Sequence, residues 1–309
     1  MQAALGIALP FFALIFAGYG AVRSGLFPTG TFAGLNTFAF YFALPALMVV
    51  KVSEAPAATG EAFRLLGAYY GPGLLLFAAT FALGRRLFGG SRSTGALQGL
   101  AATYSNVGFV GLPLAVLAFG TEAALPAVLI VIADSALMMG LAAVLIESDH
   151  PAGGGLRALA RGFLGNPIIV AALVGLTMNL ARLQLPGPLL DFGELLADAA
   201  APCALFSLGA TLAGRPLRQG AAETAFLAGI KLLLHPALVA IAALWLFDLS
   251  PLWASVAIMQ AALPIAANVY VLAHRYGVHA GQISSAILIS TALAVVTVSA
   301  LLAWLHPGL

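Results

Sequence analysis

The sequence predicts an all-α membrane protein of ten transmembrane helices, arranged as two inverted five-helix repeats, and three observations carry that prediction. Of 309 residues, 62% are hydrophobic and only 8% charged, against about 25% charged in an ordinary globular domain. The apolar residues run without charge over stretches such as 5–22, 96–120 and 283–305, close to the ~20 residues that cross a hydrocarbon layer. One linker-like stretch then divides the chain into halves of five spans. A half with an odd number of crossings reverses direction when repeated, so the second inserts upside down.

Charge, Pro and Gly breaks place the spans of the first repeat, residues 1–146, at about 4–22, 32–50, 63–84, 96–119 and 123–146. The first has no basic leader and ends at Arg23, so it reads as a membrane helix rather than a cleaved export signal. The linker, 147–162, holds Glu147, Asp149, His150, Pro151 and the run Gly153 to Gly155. The second repeat, 163–309, carries spans at about 163–181, 193–213, 224–247, 252–273 and 281–305. Asn166-Pro167 supplies a cap and a pre-set first turn for the sixth. Matched motifs support the repeat. Leu44-Pro45 is answered by Ala201-Pro202, 157 positions on, and Leu112-Pro113 by Leu263-Pro264, 151 positions on, with Phe119-Gly120 and Tyr276-Gly277 closing the latter pair.

If loops alternate sides, Arg23, Arg85, Arg86, Arg92, Arg157, Arg161, Arg215, Arg218 and Arg275 share one side, and Lys51, Arg64 and Arg182 the other. Basic loops stay cytoplasmic, so the linker is expected inside and both termini outside, in the inner membrane. Trp245, Trp253 and Trp304 fall near span ends, as interfacial anchors do. Arg85, Arg86 and Arg92 read as topology signals, with contact to anionic lipid a secondary use.

Several function classes drop out. A net charge of +2 without a basic stripe argues against nucleic acid. Cys203 is alone, which excludes a disulfide framework or a CxxC site. There is no HExxH, no GxSxG and no catalytic carboxylate pair, and Gly89-Gly90 lacks the context of a phosphate loop, so neither an enzyme, a metal site nor a cofactor is expected.

The chemistry concentrates in two spans. Tyr104-Ser105-Asn106-Val107-Gly108-Phe109-Val110-Gly111-Leu112-Pro113 puts two glycines and a proline at mid-membrane depth. Proline removes a donor and crowds the carbonyl four residues earlier, here Phe109, and the freed groups need protein or cavity water. The ninth span repeats the device in Gln260-Ala261-Ala262-Leu263-Pro264-Ile265-Ala266-Ala267-Asn268. Two helices broken at one level would aim their half-helix N-termini, each about half a positive charge, at a shared anion. Candidate substrate-binding residues are therefore Ser105, Asn106, Gly108, Pro113, Gln260, Pro264 and Asn268. The competing reading, prolines that only kink packed helices, explains less well why the breaks are paired.

Ionisable residues inside spans are costly and serve a function or a partner. Asp134 lies mid-way along the fifth span. Lys231 and His235 share a face of the eighth, ahead of Pro236, and Asp198 sits near the start of the seventh. These four are candidates for coupling to a proton or an ion, and Asp134 or Asp198 for pairing with Lys231 or His235.

The stretches Asn106 to Pro113 and Ala262 to Asn268, in ten spans divided five and five, resemble the auxin efflux carrier family, which includes plant carriers and bacterial permeases for malate or malonate. The resemblance covers nearly the whole chain. It implies a fold related to sodium/proton antiporters and bile-acid symporters, a scaffold beside a moving transport domain, and a small carboxylate bound where the fourth and ninth helices cross. It also implies a homodimer and an elevator-like motion. The short linker departs from the long cytoplasmic loop of plant members, and auxin itself is not implied. Alternatives are a sodium- or proton-coupled carrier of the bile-acid or cation/proton type and an anion channel.

Overall fold

A computed structural model describes residues 2–27, 31–55, 60–149, 164–213 and 220–305. Among these the chain is helical, and its one extended pairing is an antiparallel bridge between Ser105 and Ile265. The first half comprises α1 (Gln2–Arg23), α2 (Phe32–Ser53), α3 (Glu61–Phe88), α4 (Arg92–Thr103), α5 (Val107–Phe119) and α6 (Thr121–Glu147). The second comprises α7 (Pro167–Ala181), α8 (Gly187–Asp198), α9 (Ala200–Ala213), α10 (Ala221–Leu246), α11 (Pro251–Ala262), α12 (Ala267–Arg275) and α13 (Ala280–Leu305). Five of them, α2, α3, α6, α10 and α13, are long and apolar enough to cross a membrane alone. Most of the linker, from residue 150, lies outside the described residues, as do Arg157, Arg161, Arg215 and Arg218.

Local chemistry explains the helix ends. Ser91 Oγ accepts from Thr94 N at 3.2 Å to start α4, and Asn166 Oδ1 accepts from Ile168 N at 3.0 Å to start α7. Gly89 and Gly120, at φ 76° and 85°, stop α3 and α5. The seventh predicted span begins earlier than expected and is jointed at Ala199, where Pro202 has no N–H for the carbonyl of Asp198.

Three prolines inside predicted spans do not stop the helix. Pro45, Pro113 and Pro236 each stand two residues beyond a π turn, at Ala39–Ala43, Val107–Gly111 and Ile230–Leu234. In each turn the residue before the proline donates to the carbonyl five positions back, so the widened turn absorbs the donor that proline lacks.

The helices pack as two groups. In one, α1 lies along α9, and the second half of α2 lies along α7 and α8. A Cβ added at Gly18 would stand 2.0 Å from the Phe206 carbonyl oxygen, and one at Gly209 1.8 Å from that of Ile15, so only glycine permits the α1–α9 approach. The other group joins α3, α4, α6, α10, α11, α12 and α13. At its linker end, Asp149 Oδ2 accepts from Ser93 N at 2.8 Å, and Glu223 Oε1 meets both Gln98 Nε2 and His279 Nε2 at 2.6 Å. Tyr276 donates to Glu147 Oε1 at 3.1 Å, and burial together with that carboxylate raises the phenol above its usual range. The groups meet where α13 passes α1, α5 touches α9, and α6 touches α2 and α7.

Candidate functional site

The fourth and ninth predicted spans are both interrupted, and the interruptions lie side by side. Chain between α4 and α5 is extended at Tyr104 and irregular at Asn106, and chain between α11 and α12 is extended at Leu263 and Ala266. Asn106 N donates to the Pro264 carbonyl at 3.0 Å, and Ala266 N to that of Tyr104 at 3.2 Å. Ile265 N is taken up by Ser290 Oγ of α13 at 3.2 Å. Groups that the breaks release are thus satisfied by protein, as low-dielectric surroundings demand.

Helices α5 and α12 begin at these breaks with neither a side-chain cap on Asn106 nor one on Ala266. Their first amides therefore point out of the helix without an intrahelical partner. Beside them lies a cavity of about 30 Å³. Ser105, Asn106, Gly108 and Asn268 line it from the interrupted spans, and Tyr104 reaches Ser135 of α6 and Asn268 by hydrogen bonds. The opposite wall is Phe40 of α2 with Asn166, Ile168 and Ile169 at the start of α7. Such a volume holds a water or two.

Four of the seven predicted substrate-binding residues, Ser105, Asn106, Gly108 and Asn268, therefore line one cavity, whereas Pro113, Gln260 and Pro264 stand off its wall. Gln260 is fully buried against α5, where a Cβ on Gly111 would fall 2.0 Å from its Oε1, and its amide atoms have no hydrogen-bond partner among the described residues. Pro264 shapes the second break, whereas Pro113 lies inside α5, beyond the first.

The predicted coupling residues form a separate buried network behind the breaks. Asp134 is inaccessible, and the single proton of Tyr70 OH is shared between Asp134 Oδ1 at 3.0 Å and the Ile130 carbonyl at 2.8 Å. Lys231, equally buried, donates to the carbonyl of Ala261 near the end of α11 and lies 3.3 Å from His235 Nδ1. Asp134 and Lys231 are close enough for their charges to interact. The His235 ring rests 5.5 Å from that of Tyr69, whose hydroxyl donates to Ser105 Oγ at 3.2 Å, which links the network to the cavity. Asp198 is exposed at the end of α8, outside this cluster.

Tyr69, Tyr70 and Asn166 were not among the sequence candidates. The adjacent tyrosines in the apolar middle of α3 are the available signal. Asn166 was read as a helix cap, which it is, but its place on the cavity wall depends on the packing of α7.

Comparison with known proteins identifies the family. A family model described as "Membrane transport protein" matches residues 4–153 and 156–302. A candidate malonate transporter of Rhizobium meliloti (strain 1021) is 36% identical over 98% of this chain and 96% of its own length. An uncharacterized transporter of Methanothermobacter thermautotrophicus is 31% identical over 64% of each chain. Auxin efflux carrier component 1 of Arabidopsis thaliana is 30% identical over 43% of this chain, which is 22% of that carrier. With nearly its whole length matched and its relatives named as transporters rather than enzymes, the chain belongs to the membrane transport protein family that includes the auxin efflux carriers.

Proposed function

We propose that this protein carries a small organic anion, a carboxylate, across the inner membrane by alternating access, with the substrate held where the spans α4–α5 and α11–α12 cross. The observation that carries the reading is the joining of two interrupted helices beside one polar cavity. Two uncapped helix N-termini and the carboxamides of Asn106 and Asn268 favour an anion there without a fixed cation. In this reading the ten spans form two inverted halves, 1–146 and 163–309, joined by the cytoplasmic linker 147–162, with both termini outside. The two helix groups act as scaffold and moving transport domain of a homodimer. At about 30 Å³ the cavity must widen to admit a carboxylate, and its walls belong to both groups, so a shift of one against the other, an elevator-like motion, fits better than a channel. Asp134, Lys231 and His235 are the proposed coupling groups, for a proton or sodium; Asp198, being exposed, is the weakest of the four.

Malonate is the first substrate to test, given the name of the relative that matches nearly the full chain. Purified protein in proteoliposomes should take up labelled malonate saturably and exchange it against internal malonate. Asn106→Ala should abolish uptake while leaving insertion and thermal stability close to wild type. Uptake by Asn106→Ala at the wild-type rate would remove the site assignment, and unitary currents would favour the channel.

A further inference from the structure

Three helix N-termini, not two, border the cavity. Besides α5 and α12, α7 begins there, with Asn166, Ile168 and Ile169 on the wall. The uncapped starts of α5 and α12 each contribute about half a positive charge, and α7, whose Ile168 N is already taken by Asn166, adds a smaller part of the same sign. Asn106, only 4% exposed, lines the same cavity, and no side-chain hydrogen bond ties its carboxamide among the described residues.

Asn166 is the polar member of the far wall, set among Phe40, Ile168 and Ile169. Its Oδ1 is occupied by Ile168 N at 3.0 Å, which fixes the orientation of the amide. The Nδ2 group is thereby a pure donor, and it makes no other hydrogen bond among the described residues. Donors thus stand on both sides of the cavity, two carboxamides from one helix group and one from the other.

Resting on the carboxylate reading above, we propose that Asn166 is a specificity-determining residue that donates to the second carboxylate of a short dicarboxylate and so selects it over monocarboxylates. A monocarboxylate satisfied by Asn106 and Asn268 leaves Asn166 and the start of α7 facing an alkyl group. A dicarboxylate engages both walls.

The test compares binding and proteoliposome uptake of malonate and acetate by the full-length protein. Wild type should prefer malonate. Asn166→Asp keeps an oxygen to cap α7 but replaces the donor with a negative charge. It should weaken malonate roughly tenfold to hundredfold, as expected for a lost hydrogen bond to a charged group, and change acetate far less. Asn166→Ser, a second capping variant, should show a smaller loss in the same direction. Equal weakening of both ligands, or unchanged malonate binding, would overturn the proposal. So would a wild type that prefers acetate, a comparison that needs no variant and leaves the carboxylate site standing. Failure of wild type to bind either acid would instead bring down the carboxylate reading, and this proposal with it.

Discussion

The two interrupted spans perform one task with different local chemistry. In α11–α12 the proline lies within the break, and the flanking chain is tied by two side chains: Ser290 Oγ accepts from Ile265 N at 3.2 Å, and the buried Lys231 donates to the Ala261 carbonyl. In α4–α5 the break precedes a π turn, Pro113 lies further on inside α5, and the tie from outside is a neutral hydroxyl, Tyr69 to Ser105 at 3.2 Å. The second break is thus tied from outside by two side chains, whereas the first is tied by one and carries glycines. What looks symmetric in sequence is a firm half and a compliant half.

The largest effect that would sharpen this contrast is expected at Lys231. Lys231→Met removes the side-chain donor to the buried Ala261 carbonyl and the basic group whose charge interacts with Asp134, and should cost about 3 kcal/mol. Thermal unfolding in detergent checks this, and the pair Lys231→Met with Asp134→Asn should lose less than the two single changes summed. An intermediate effect is expected at Gly111, where an added Cβ meets Gln260. Gly111→Ala should lower stability by about 1–3 kcal/mol, while Gly108→Ala, with open space around it, should leave it nearly unchanged. The smallest is Tyr69→Phe, which removes the hydroxyl bond to Ser105 and should cost about 0.5–1.5 kcal/mol. If Tyr69→Phe proved as damaging as Lys231→Met in the same assay, the first break would be no more compliant than the second.

Much of this was legible in the residue order because its causes are local. Charge-free runs locate the long apolar helices, Asn166-Pro167 starts a helix as its chemistry dictates, and the paired stretches that each hold a Pro and an Asn locate the interruptions. The position of the first break was harder. Pro113 points to it in sequence, yet a π turn absorbs that proline and the chain opens instead at Tyr104 to Asn106, where pairing with Pro264 and Ala266 compensates the lost helix bonds. The tyrosines beside Asp134 and the wall position of Asn166 depend on which helices neighbour one another. Spacing along one chain does not encode that. Gln260 shows the same limit: it falls in the right stretch but faces Gly111 rather than the cavity.

The contact between α1 and α9 has a mechanical consequence. Where the bare Cα of Gly18 meets the Phe206 carbonyl, and that of Gly209 the Ile15 carbonyl, no side chain intervenes that could change rotamer to let the helices slide. Backbone locked against backbone makes this pair a stiff keel, so displacement of one part of the molecule against another must be accommodated elsewhere, at surfaces lined by ordinary side chains.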